Sequence, residues 1–236
     1  MNKAWLAALC LVLIGAQVCA QGLAAQDDPD SMIAEGDRLV QARRPGEAIG
    51  VYRRALRKNV QNRDAVDARI AKAEEQRQGF LSTCETSIGE IGRHACEAAW
   101  LPGAPDEANV FRRRGIIFEA EHQPWAALDA YMSADRLRPG DRHVAAAIVS
   151  LSAATGRADL LGLIAKGSAL ITLGRHAEAI NPLHLALTSN PDSTEVKALL
   201  RAAERGASAL QSTLESSTSQ SNERRYSNSA PVTQSH

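Results

Sequence analysis

The chain has 236 residues, 44% of them apolar but only 4% aromatic, with 27 Lys and Arg balanced by 27 Asp and Glu. That length allows one or two globular domains. The balance of charge excludes the strongly basic footprint of a nucleic-acid-binding protein, and the low aromatic, alanine-rich composition favours close helix–helix packing over sheet.

The N-terminus has the form of a secretory signal: Lys3, an apolar run from Trp5 to Ala16, and small residues around Val18-Cys19-Ala20. The run is shorter than the roughly 20 residues a membrane span needs. Cleavage is expected after Ala20, with Ala25 as the second site and an uncleaved anchor as the alternative. Residues 1–20 are thus read as a signal peptide and 21–28 as a flexible lead-in, with no stable membrane insertion after cleavage. Export takes Cys10 and Cys19 away with the signal and leaves Cys84 and Cys96. In an oxidising compartment an even count points to one disulfide. On one continuous helix the two would lie about 18 Å apart, too far for a disulfide. Gly89 and Gly92 sit near the midpoint, and a helical hairpin turning around residue 90 would bring the two cysteines face to face. Two free buried thiols, or a metal site near His94, are the alternatives; no fourth ligand stands at metal-site spacing.

Three segments share one spacing of small and large residues. In 111–139 it runs Phe111, Gly115, Phe118, Ala127, Tyr131, Ala134, Pro139; in 163–191 it runs Leu163, Gly167, Leu170, Gly174, Ala179, Leu183, Ala186, Pro191. A looser copy in 32–60 has Met32, Gly36, Leu39, Ala48, Tyr52 and Ala55, with Arg43 in place of the inter-helix glycine and Val60 in place of the terminal proline. Small residues at these points let two helix backbones cross closely, and the large ones form an apolar stripe on each helix. Between the copies, 63–83 and 91–101 read as two helices of a degenerate hairpin and 142–154 as an additional helix ended near Gly156. A capping helix is expected over 193–208, and the Ser/Thr/Gln/Asn-rich segment 209–236 reads as a disordered tail.

The spacing resembles that of the roughly 34-residue tetratricopeptide repeat (TPR). The resemblance covers 29–62, 108–141 and 160–193. It implies an all-α fold, a short α-solenoid of TPR helical hairpins, filling 29–208. It also implies a groove, lined by the first helix of each hairpin, that holds another protein. The positions matching that groove are Ile33, Asp37 and Val40; Asn109, Arg112, Ile116 and Glu119; and Leu161, Ile164, Ser168 and Ile171. Family members that clamp a chaperone's C-terminal carboxylate use Lys and Asn where this chain has Ile33 and Asp37, so that activity is not implied. The apolar third set has two readings: packing of Ile164 and Ile171 on helix 142–154, or a strip awaiting a partner.

No catalytic signature is legible. Gly162–Ser168 looks like a phosphate loop but lacks the lysine after its second glycine, and no HExxH or GxSxG string occurs. The histidines are scattered, and the run Arg112-Arg113-Arg114 reads as a solvated helix face. No enzyme activity, cofactor, metal or nucleic acid is expected. The expected role is a protein-binding scaffold or adaptor of the cell envelope, periplasmic first and secreted second. The alternative is a non-catalytic regulatory subunit of an envelope enzyme or secretion machine.

Overall fold

The computed structural model describes residues 28–58 and 60–227, the side chains of 219–227 excepted. The signal peptide and nearly all of the lead-in expected from the sequence lie outside these residues, as does 228–236. Among the described residues the fold is all-α, without a strand, and divides into two compact units.

The unit ending at His122 holds α1 (Pro29–Gln41), α2 (Pro45–Leu56), α3 (Arg63–Thr86), α4 (Gly89–Ala99) and α5 (Glu107–Ala120). Each helix packs on the next, and α2–α4 and α3–α5 meet as next neighbours, a solenoid-like succession of hairpins. Local chemistry sets the ends. Asp28 accepts from the Ser31 N–H at 3.0 Å and caps α1; Asn62 does the same for α3 through the Ala65 N–H at 3.2 Å. Pro45 opens α2, where its missing N–H costs nothing. Leu39, Ile49, Tyr52 and Val66 build one core, and Cys84, Cys96, Val110 and Ile117 a second.

The turn between α3 and α4 is tighter than the glycine spacing suggested. Gly89, with φ +67°, lies at its end, so the reversal sits at Ser87-Ile88 rather than around residue 90. Gly92 is not a breaker. It lies inside α4, where a Cβ would stand 2.4 Å from the Ser87 carbonyl oxygen, so it lets the helix close over the turn. The geometry brings the cysteines to a Cα–Cα distance of 4.8 Å, and Cys84 and Cys96 are joined by a disulfide.

The second unit begins at Gln123 and holds α6 (Pro124–Leu137), α7 (Arg142–Thr155), α8 (Leu160–Thr172), α9 (His176–Ser189) and α10 (Thr194–Ser227). Neighbours pack again in sequence, and α10 also reaches α8. Asp141 and Asp159 cap α7 and α8, and Gly156 ends α7 in the left-handed region. Its core joins Leu163, Leu170, Leu183, Val196 and Leu200. The terminal helix does not stop at residue 208. It continues to Ser227, although every described side chain from Ser208 to Thr218 is exposed. Within this extension Ser and Thr hydroxyls donate to carbonyls one turn back, as Thr213 does to Ala209 at 2.9 Å and Thr218 to Leu214 at 3.0 Å.

Hairpins α1–α2 and α8–α9 are built alike, position for position. A Cβ on Gly36 would stand 2.3 Å from the Tyr52 ring, and one on Gly167 2.5 Å from Leu183. Ala48 and Ala179 are fully buried in the second helix of each. The turns match too. Arg43 (φ 58°) and Gly174 (φ 78°) are left-handed, and the next N–H, of Arg44 or Arg175, donates at 2.8 Å to Leu39 or Leu170. Arg44 then pairs with Glu47, and Arg175 with Glu178. The arginine in the glycine's place therefore does not blunt the turn: the chain reverses as sharply at Arg43 as at Gly174.

Candidate functional site

In the first unit, α5 is held against α3 and α4 by one buried and one half-buried arginine. Arg77, only 4% exposed, donates from Nε to the Ala99 carbonyl at 2.7 Å and from Nη2 to Asp106 at 2.6 Å. Arg113 reaches back from α5 to the end of α3, donating to the carbonyls of Cys84 at 2.7 Å and Ser87 at 2.9 Å. Those oxygens lack helical donors, so the guanidinium caps α3 from a distance.

This docking leaves a groove of ≈ 690 Å³ between α3 and α5. Asn109, Arg112 and Ile116 line it from α5, facing Gln78, Ser82 and Glu85 of α3. Residues 109, 112 and 116 follow the i, i+3, i+7 rule and share one face of the helix. The walls carry two carboxamides that both donate and accept, two guanidiniums (Arg112 and Arg113), two carboxylates (Glu85 and Asp106) and apolar side chains including Ile116, a set that matches a peptide main chain with mixed side chains. Glu119 is not part of this groove and is exposed in the last turn of α5.

The other named positions have different surroundings. Ile33 and Val40 are half-buried against the core of α1, α2 and α3. Asp37 is engaged within the fold, accepting from the Tyr52 hydroxyl at 2.7 Å and from Arg69 Nε at 3.1 Å. Burial first, and then the Asp37 hydrogen bond and charge, hold the Tyr52 phenol well above its ordinary pKa, against a smaller opposing effect of Arg69.

In the second unit Leu161, Ile164 and Ser168 line a cavity of ≈ 420 Å³ with Asp135, Glu195 and Leu199. Ile164 and Ile171 are half-buried on the core of α8–α10, to which Val149 of α7 also belongs, while Leu161 stays 55% exposed. Asp135, which the sequence reading missed, is 8% exposed, and its Oδ1 is buried without a hydrogen-bond partner. Burial raises its pKa, a hydrogen bond from the Gly140 N–H opposes this, and the nearby Asp141 charge adds to the rise.

The three consecutive arginines are not a solvated face. All three are half-buried and diverge by 100° steps: Arg112 into the groove, Arg113 onto the end of α3, and Arg114 between two phenylalanine rings. Helical phase alone could have separated them. Among the described residues no three His, Cys, Asp or Glu converge as a metal site, and no helix is long and apolar enough to cross a membrane. No family model matches this chain, and no curated protein matches it either.

Proposed function

We propose that the chain is an exported adaptor of tetratricopeptide type that holds a segment of another protein in the groove between α3 and α5. The observation that carries this reading is the convergence of Asn109, Arg112 and Ile116, named from the repeat spacing, on one groove. The matched hairpins α1–α2 and α8–α9, with their crossing glycines, support the repeat type. The Cys84–Cys96 disulfide is compatible with export into an oxidising compartment, the bacterial periplasm first. The Lys3–Ala20 segment supplies the address.

The test is site-specific photocrosslinking in the native envelope from position 112, with the double variant R112E/I116D as the comparison. One protein should crosslink from position 112 and be lost from the double variant, whose melting temperature stays within a few degrees of the parent. Equal partner capture by the double variant would sink the groove. Purified mature protein should also begin after Ala20 or Ala25 by intact mass, and a retained residue 1 would remove the export reading.

A further inference from the structure

The first unit carries a second cavity, on the other side of α3 and α5 from the groove. Its volume is ≈ 900 Å³, within the range of small-molecule sites. Phe80 and Thr83 of α3 and Arg114 of α5 line it. At 100° per residue these positions lie about 140–160° away from the groove residues Gln78 and Asn109 on the same helices. Ala95 and Ala98 of α4 complete an apolar floor with Phe80 and Trp100, and Ile91, 70% exposed, stands at its edge.

The charges on the rim are uneven. Arg44 is occupied by Glu47, at 2.7 and 2.6 Å, and Glu97 lies 3.7 Å from His94. Arg43 and Arg114 have no carboxylate partner among the described residues. Arg114 is nevertheless held in place: its Cζ lies 5.6 Å from the Phe111 ring centroid and 5.9 Å from that of Phe118. Its Nε is buried and has no acceptor. A guanidinium fork is matched by a carboxylate, which accepts two parallel hydrogen bonds.

The walls decide what the carboxylate is attached to. Phe80, Thr83, Ala95, Ala98 and Arg114 lie on helix faces, so their main-chain groups are spent within α3, α4 and α5. The N–H groups of Ala42, Arg43, Arg44 and Trp100, outside the helices, are donated to the carbonyls of Arg38, Val40, Leu39 and Glu97. The Thr83 hydroxyl donates to the Gly79 carbonyl at 3.0 Å. A bound peptide would bring amide groups that find few partners here. A hydrocarbon chain needs none. We propose that this cavity binds an aliphatic carboxylate of fatty-acid type, its head on Arg114 and Arg43 and its chain over Phe80, Ala95, Ala98 and Trp100.

Titration calorimetry of the full chain with decanoate and with decanol tests this. Decanoate should bind, and decanol, which keeps the chain but lacks the charge, should bind about tenfold more weakly, the scale of one charge-assisted pair. R114Q should weaken decanoate by about tenfold and leave decanol unchanged. Arg43 and Ile91 are exposed, so R43Q and I91N keep the fold and serve if R114Q does not. R43Q should weaken decanoate alone, and I91N should weaken both ligands. Equal affinity for decanoate and decanol, no effect of R43Q and R114Q, or no binding up to the solubility limit would overturn the proposal. So would binding of an apolar-ended peptide in preference to decanoate.

Discussion

Gly36 lies against the ring of Tyr52 so closely that a methyl group at its Cα would stand 2.3 Å from Cε1. Tyr52 is 1% exposed and its hydroxyl is tied to Asp37, so the ring cannot swing away without breaking that bond. Gly36→Ala should therefore destabilise the chain by about 1–3 kcal/mol, the range for overpacking a filled core, despite alanine's better helix propensity. Gly50, in α2, has open space where its Cβ would be. Gly50→Ala should stabilise by about 0.5–1 kcal/mol. Urea unfolding of both variants checks the pair, and the same sign for both would contradict the crossing geometry.

The disulfide closes a short loop, its cysteines 12 positions apart. Loop-closure entropy of that size is worth about 3 kcal/mol. The double variant C84A/C96A, or the reduced protein, should lose that much in urea unfolding yet keep its far-ultraviolet helical signal at 25 °C, because α3–α4 packing and the Arg113 contacts remain. Collapse of the helical signal on reduction would mean that the staple, rather than the packing, makes the hairpin.

Asp135 supplies a pH dependence with a defined sign. Its carboxyl ionises above the ordinary 3.8 in the folded chain because it is buried. The folded state thus binds more protons than the unfolded state between those values. Its favourable contribution is complete below 3.8 and is lost as pH rises through the folded value. Asp135→Asn should raise stability at pH 7 by about 1 kcal/mol, since an unpartnered buried carboxylate oxygen is replaced by a neutral group. The gain should vanish at pH 3. A thermal unfolding series over pH 3–8 checks both, and an unchanged or lower melting temperature at pH 7 would contradict the assignment.

Part of this molecule was legible because its determinants are local. The crossing glycines Gly36 and Gly167, the buried Ala48 and Ala179, and the end of α7 at Gly156 follow from spacing within one hairpin or helix. The pairing of Cys84 with Cys96 was legible because only a chain reversal somewhere between them makes the distance possible, although the turn itself lies nearer Cys84 than the glycine spacing suggested. What was not legible depends on contacts that sequence spacing does not encode. Gly92 looked like a breaker because the Ser87 carbonyl beneath it is a feature of the folded turn. Arg113 finds its acceptors 26 and 29 positions away, Arg77 finds Asp106 29 positions away, and nothing near either residue announces the partner. Asp135 reads as an ordinary polar position of α6, and only the burial of Oδ1 sets it apart.

The Arg113 contacts also bear on what a reductant can undo at this turn. The guanidinium that grips the Cys84 and Ser87 carbonyls comes from α5, made after both cysteines in the chain. Once α5 docks, two chemically unlike fastenings share one turn, and only one of them answers to a reductant. Reduction therefore opens the sulfur link and leaves the guanidinium contacts to the Cys84 and Ser87 carbonyls, which do not depend on redox state.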